Sequence, residues 1–176
     1  MGQKILTLIQ ARTNSSRFPN KVMATVGGKT MVKRVWEAAY EAKRTGWITD
    51  IQMVWPELYA DQYAENDLLG KFRKAALEHN AEIIVRLTAD CPLLTAGDIR
   101  SALIAFKDQM VRTGLEYYNN GKDGYDVQVS TIRYLLSNAG TDKIDVFFDI
   151  PNTGGVSVNT PQELNHIRNL WKMRSI

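Results

Sequence analysis

Cysteine, histidine and long apolar runs are scarce in this chain of 176 residues, which has one cysteine and two histidines. The single Cys91 excludes an intramolecular disulfide and a cysteine-rich zinc site, and it favours a reducing, cytoplasmic location. No apolar run approaches the roughly 18 residues of a membrane span. The first apolar stretch, before Gln10, is shorter than the roughly 7–15 apolar residues of a signal peptide. We therefore expect a cytoplasmic protein that has no membrane partner.

A strong charge of one sign is absent as well, because the formal net charge is +3 and the pI is about 9.0. A mildly basic chain suits a nucleic acid or a phosphorylated small molecule, and charge alone does not separate the two. The tryptophans and tyrosines do not form a stacking stripe with basic residues between them, so we expect no nucleic-acid partner. An RNA-associated protein, whose binding would weaken steeply with salt, stays as a third hypothesis.

The remaining composition is that of a globular domain, with 44% apolar and 23% charged residues. Ordinary soluble domains have roughly 45–50% and 25% of these classes, so a disordered or fibrous chain is excluded. The length corresponds to one domain at roughly 100–200 residues per domain. We expect a single domain over residues 1–176.

Short apolar runs of strand type alternate with segments of helical period along the chain. The predicted strands cover residues 4–9, 22–26, 51–55, 82–87, 117–118, 126–129, 146–150 and 155–159. The predicted helices cover residues 31–44, 66–79, 95–111, 131–137 and 161–174. This order predicts an α/β fold with a mostly parallel sheet, helices on both faces, and a small antiparallel excursion in the second half.

A polar loop follows the first predicted strand and carries Arg12, Arg17 and Lys21 within ten residues. Ligands of parallel sheets bind outside the carboxyl ends of the strands, where this loop lies. Three cations there would offset the charge of a polyphosphate. The loop lacks the glycine spacing of a Walker loop or a dinucleotide fingerprint. The alternative interpretation is a solvated loop with basic residues at random.

A second polar loop follows the third buried strand and contains Asp90 and Cys91. A carboxylate at this edge of a sheet is a usual Mg²⁺ ligand, and the alternative is a turn cap. Cys91 has no sequence neighbour that would activate it, so a structural role is favoured. His79 and His166 fall on predicted helices, which favours surface or core positions.

Several segments, in chain order, resemble the cytidylyltransferases that make CMP-activated sugars. Residues 11–21 meet every fixed position of that family's pattern A-R-x-x-S-x-R-x-P-x-K. Residues 84–94, I-V-R-L-T-A-D-C-P-L-L, are close to the branch that makes spore coat polysaccharide. Further matches occur at residues 28–31, 66–72, 123–129 and 158–164.

The resemblance implies a Rossmann-like fold of the nucleotide-diphospho-sugar transferase type and a cytidylyl transfer from CTP to a sugar or sugar acid, with release of pyrophosphate. It implies catalytic roles for Arg12, Lys21 and Asp90, sugar binding by Asp126, and Mg²⁺ ligands at Asp90 and Asn159. It implies a nucleotide site formed by Gln10, Ala11, Arg12, Asn14, Ser15, Ser16, Arg17 and Lys21. The activated sugar would serve surface polysaccharide synthesis.

The chain departs from the family pattern in its closing motif and in its length. Asn159 stands where the family has an aspartate, and an amide oxygen lacks the charge of a carboxylate. The stretches 55–65 and 129–156 are shorter than in relatives. A non-catalytic nucleotide- or phospho-sugar-binding protein of the same fold is therefore the alternative. Relatives are commonly dimers, and the apolar run at residues 146–150 suits an interface, so we expect a homodimer.

Overall fold

The computed structural model describes residues 2–13, 15–64, 67–119, 127–137 and 157–174. Its strands are β1 (Ile5–Gln10), β2 (Thr25–Val26), β3 (Lys29–Thr30), β4 (Asp50–Val54), β5 (Ile83–Thr88), β6 (Tyr117–Asn119) and β7 (Val127–Thr131). Five of them form one sheet in the order β4-β1-β5-β7-β6. β4, β1 and β5 are parallel, and β7 and β6 add antiparallel strands at one side.

The helices begin where capping residues occur in the sequence. They are α1 (Met31–Arg44), α2 (Leu68–Glu78), α3 (Ala96–Thr113), α4 (Ile132–Ser137) and α5 (Pro161–Arg174). The side chain of Thr30 accepts from the backbone of α1, and Asp67 accepts from that of α2. Thr95 and Asp98 form a capping box at the start of α3. Such caps satisfy backbone N–H groups that have no partner inside a helix.

Both faces of the sheet are covered by helices because the side chains of β1 alternate between two cores. Ile5 and Ile9 pack on one face with α1 and α3. Leu6 and Leu8 pack on the other face with α2. β1 is therefore buried along its whole length, as a central parallel strand is. The predicted mostly parallel sheet with helices on both faces and an antiparallel excursion is confirmed.

A third, smaller core joins α5 to the hairpin of β2 and β3. Val26, Leu164 and Ile167 are among its buried members. The Arg34 guanidinium donates to the carbonyls of Val26 and Gly27 at 2.5 and 2.8 Å, and it stacks on the ring of Trp171. These contacts hold the carboxyl-terminal helix beside the segment that follows the first loop.

Some predicted elements differ from the observed ones. The predicted extended segment 22–26 is wrong in its first half, because Asn20 adopts a left-handed conformation (φ 54°) and a short 3₁₀ helix follows at Lys21–Met23. Residues 157–159 of the predicted strand 155–159 are not in a strand. Residues 155 and 156, the predicted turn at 121–124 and the predicted strand at 146–150 lie outside the described residues. No described helix has the length and apolar character that crossing a membrane requires.

Candidate functional site

The carboxyl ends of β1 and β5 lie side by side, and both polar loops begin there. Gln10 is paired with Thr88 in the register of the two strands, and the N–H of Ala89 donates to the carbonyl of Gln10 at 2.9 Å. The segment before α5 reaches the same edge, since the N–H of Val158 donates to the carbonyl of Asp90 at 2.9 Å. Three parts of the chain that are distant in sequence therefore meet at one edge of the sheet.

Lys21 connects these three parts through its ammonium group. Its Nζ lies 2.5 Å from Oδ2 of Asp90 and 2.8 Å from Oδ1 of Asn159. The side chains of Lys21 and Asp90 are 10% and 18% exposed, so the pair is largely removed from water. Buried charges are ordinarily paired in this way, because an isolated ammonium or carboxylate is costly to bury.

The position of Asn159 depends on the cap of α5. Oε2 of Glu163 accepts the backbone N–H groups of Asn159 and Thr160 at 2.6 and 2.8 Å, while Oγ1 of Thr160 accepts the N–H of Glu163 at 3.2 Å. The N–H of Asn159 is the main cause that lowers the pKa of Glu163, and the charge of Arg17 also contributes. Nδ2 of Asn159 donates to Oγ of Ser157 at 3.0 Å, which leaves Oδ1 facing Lys21.

The other predicted site residues that the structure describes differ in their exposure. Arg12 and Arg17 are exposed on the first loop, and neither has an ion-pair partner within the described part of the chain. Gln10 and Ala11 are buried, Ser15 is half-buried and Ser16 is exposed. Asn14 and Asp126 lie outside the described residues. The catalytic, nucleotide-binding and sugar-binding roles of this set remain predictions.

Arg86 contacts the predicted site residue Gln10, and the sequence patterns did not single it out. It donates from Nε and Nη2 to Oε1 of Gln10 at 3.1 and 2.6 Å, and from Nη1 to Oε1 of Gln128 at 2.7 Å. The three side chains form a polar row across β1, β5 and β7. The signal in the sequence was an arginine inside the otherwise apolar run of residues 83–87, which a buried strand does not ordinarily contain.

Lys71 is a second charged residue in the interior that the sequence patterns did not single out. Its side chain is fully buried in α2, and its ammonium donates to the carbonyl of Pro56 beyond the end of β4. No carboxylate of the described chain pairs with it. The signal in the sequence was a lysine on the inward face of a predicted helix, where apolar residues are usual.

Asp90 and Asn159 are the residues predicted to bind Mg²⁺, and their donor atoms suit that ion. Carboxylate and amide oxygens are hard donors, and here both converge on one position. The ammonium of Lys21 holds that position in this structure. No cluster of three or more histidine, cysteine, aspartate or glutamate side chains offers a metal site in the described ranges, this pair included.

The sequence is similar to known cytidylyltransferases. The sequence model of the Cytidylyltransferase family matches residues 6–49. The 3-deoxy-manno-octulosonate cytidylyltransferase of Flavobacterium johnsoniae is 30% identical over 115 residues, which cover 60% of this chain and 47% of that protein. The enzyme of that name from Solibacter usitatus is 34% identical over 117 residues, covering 59% and 45%. The chain thus spans about half the length of these relatives.

The fold is that of solved nucleotidyltransferases. A cytidylyltransferase from Leptospira borgpetersenii superposes with a TM-score of 0.77 at 20% identity, over 98% of this chain and 88% of that one. A CMP:2-keto-3-deoxy-manno-octonic acid synthetase complexed with CTP superposes with a TM-score of 0.71 at 14% identity, over 98% and 100%. The resemblance of this chain to the cytidylyltransferase family is therefore confirmed, in sequence over residues 6–49 and in fold.

Proposed function

We propose that this protein transfers a cytidylyl group from CTP to a sugar or sugar acid and releases pyrophosphate, in the synthesis of an activated sugar for a surface polysaccharide. The convergence of Lys21, Asp90 and Asn159 carries this proposal. Each residue belongs to a different segment that resembles the family, and the fold brings all three to the ligand-binding edge of the sheet.

The first loop would bind the triphosphate of the nucleotide. Arg12 and Arg17 present exposed guanidinium groups, which bind phosphate oxygens in a bidentate manner. The backbone of the loop follows the buried Gln10 and Ala11 at the end of β1, so the loop starts from a rigid support. We propose that the remaining nucleotide contacts come from Asn14, Ser15, Ser16 and Lys21.

The reaction would need positioning and charge neutralisation rather than a protein nucleophile. A hydroxyl oxygen of the sugar would attack the α-phosphorus, the bond to the β-phosphate oxygen would break, and the hydroxyl proton would pass to water. Arg12 and Lys21 would stabilise the charge on the phosphate oxygens. A Mg²⁺ ion at Asp90 and Asn159 would supply further neutralisation of phosphate charge when bound.

The acceptor is proposed from the relatives, which are named for 3-deoxy-manno-octulosonate. We propose a sugar acid of that class and contact with it at Asp126. We also propose that the protein acts in the cytoplasm as a homodimer, binding neither a membrane nor a nucleic acid.

A second candidate is a non-catalytic protein that binds a nucleotide or a phospho-sugar. One observation favours it: the Asp90 carboxylate is already neutralised by Lys21, and its neighbour Asn159 carries no charge. Metal binding at such a pair is weaker than at two carboxylates. A protein of this kind would bind CTP without turnover.

The test is pyrophosphate release from each of the four nucleoside triphosphates with Mg²⁺ and a panel of sugar acids. We expect release with CTP and one sugar acid, together with the corresponding CMP-sugar by mass spectrometry. Asp90→Asn should abolish release, whereas Lys29→Met, at an exposed pair with Glu37, should retain it. Binding of CTP by calorimetry without any release would instead support the non-catalytic candidate.

A further inference from the structure

The ammonium of Lys21 lies at the position that a metal shared by Asp90 and Asn159 would take. Both oxygen atoms are within hydrogen-bond distance of Nζ, at 2.5 and 2.8 Å. The amide of Asn159 is oriented by its bond to Ser157, so its oxygen is directed at the ammonium. Lys21 is therefore a buried counter-ion of this pair in the structure.

The charges of this group balance without a metal. One carboxylate and one neutral amide face one ammonium, so the sum is zero. An aspartate at position 159 would leave a net charge of −1 and a stronger attraction for a second cation. With Asn159, a divalent ion would enter beside a like charge in a partly buried site, where such repulsion is stronger than in water. The ammonium of Lys21 would therefore disfavour a divalent ion at this pair.

We propose that Lys21 is a built-in counter-ion that competes with divalent cations for Asp90 and Asn159 and is drawn away by an anion on the first loop. The identity of that anion, the triphosphate of a nucleotide, rests on the proposed function. Arg12 and Arg17 lie exposed on the loop that leads to Lys21, and their positive charges would attract the anion. Once Lys21 turns to the phosphates, both oxygens are available to a metal.

The consequence is that anion binding and metal binding are coupled through one side chain. Linkage requires the coupling to be reciprocal, so the metal raises the affinity for the anion by the factor by which the anion raises the affinity for the metal. Removing the ammonium removes the competitor. Lys21→Met keeps an unbranched side chain in the buried position while it deletes the charge.

The experiment measures binding of Mn²⁺ alone to the free protein by electron paramagnetic resonance. We expect Lys21→Met to bind Mn²⁺ about 5- to 150-fold more tightly than the unchanged protein, the usual range of coupling between two sites. Adding Asp90→Asn to that variant should remove the gain. Lys29→Met is the control, because Lys29 also holds a carboxylate, that of Glu37 at 2.9 Å, but at an exposed pair.

A second variant allows the test to be made if Lys21→Met does not fold. Lys21→Gln also removes the charge but keeps a polar N–H donor, on a side chain that is one atom shorter and adds an amide oxygen, and it should also tighten Mn²⁺ binding. Circular dichroism establishes that each variant is folded. If the folded variants bind Mn²⁺ no more tightly than the unchanged protein, the proposal is overturned.

The Mn²⁺ measurement does not depend on whether the protein releases pyrophosphate. Tighter Mn²⁺ binding in the Lys21 variants, with no pyrophosphate from any nucleotide, would support the counter-ion and reject the transferase. Pyrophosphate release with no change in Mn²⁺ affinity would support the transferase and reject the counter-ion.

Discussion

The backbone N–H of Val158 donates a hydrogen bond to the carbonyl oxygen of Asp90 at 2.9 Å. This bond joins the segment before α5 to the loop after β5 and sets Asn159 beside Asp90. The capping residue Glu163 holds the same segment from the other side. The geometry of the candidate site therefore depends on where α5 begins.

Glu163→Ala should weaken both the helix and the site. The change removes an acceptor of two backbone N–H groups, and lost caps cost about 0.5–2 kcal/mol of unfolding free energy. Urea denaturation measures this cost. The matched control is Gln162→Ala, because Gln162 is exposed in the same helical turn. An equal loss in both variants would contradict a specific capping role.

The contribution of Glu163 should also depend on pH. Its pKa is lowered in the folded protein, chiefly by the N–H of Asn159, so folding favours the ionised carboxylate. The stabilisation is complete above the pKa of the unfolded state and is lost as the pH falls through the folded pKa. The difference in unfolding free energy between the unchanged protein and Glu163→Gln should shrink as the pH is lowered from about 6 to about 3. A constant difference would contradict this.

Arg86→Met should destabilise the sheet at its polar row. It removes the hydrogen bonds from Arg86 to Gln10 and Gln128 and leaves the side-chain carbonyls of those two residues without these donors. Unsatisfied groups of this kind cost about 1–3 kcal/mol each in protein interiors. Arg100→Met, at an exposed arginine over the ring of Trp47, should change the unfolding free energy by about 0.5 kcal/mol or less. If urea denaturation gave similar losses for Arg86→Met and Arg100→Met, the hydrogen bonds of Arg86 would make no specific contribution to the unfolding free energy.

Lys71→Met should raise the unfolding free energy by about 1 kcal/mol or more. The ammonium of Lys71 is fully buried against one carbonyl, that of Pro56, and methionine fills a similar volume without a charge. Lys74→Met is the control, since Lys74 is partly exposed and pairs with Glu78 at 3.1 Å. A loss of stability in Lys71→Met would mean that the bond to Pro56 outweighs the cost of burying the ammonium.

Asn159→Asp should tighten Mg²⁺ binding, because it adds a second carboxylate to the pair that faces Lys21. Calorimetry with and without CTP measures the effect, and we expect the larger gain when the nucleotide supplies phosphate oxygens. Asn165→Asp adds the same charge at an exposed position of α5 and should leave Mg²⁺ binding unchanged. If neither the unchanged protein nor Asn159→Asp binds Mg²⁺ with CTP present, the proposed role of Mg²⁺ in the transfer is contradicted.

The protein should be a homodimer in solution. The prediction comes from an apolar run in the sequence at residues 146–150, which lies outside the described residues. Light scattering at micromolar concentration gives the mass directly. A monomeric mass near 19.9 kDa would contradict the prediction.

Local signals in the sequence predicted most of the elements. Segments of helical period marked the helices, and three of these helices begin in the structure at capping residues: Thr30, the Thr95 and Asp98 pair, and the Thr160 and Glu163 pair. Apolar runs marked β1, β4 and β5. These signals involve residues that are close in sequence, so they can be recognised without knowledge of the tertiary structure. Where a left-handed residue turned the chain at Asn20, the apolar pattern alone predicted the wrong element.

Which side chains meet across the sheet depends on how the strands are arranged. Lys21 lies 69 positions from Asp90 and 138 from Asn159, and no local pattern says which partner its ammonium meets. The same holds for Arg86 and Gln128, which meet because β7 lies antiparallel to β5. The elements that end at this edge of the sheet, and the residue types they carry there, could be recognised from the sequence alone. Strand order and register then set the distances between those residues, because contacts between distant segments exist only once the sheet is assembled.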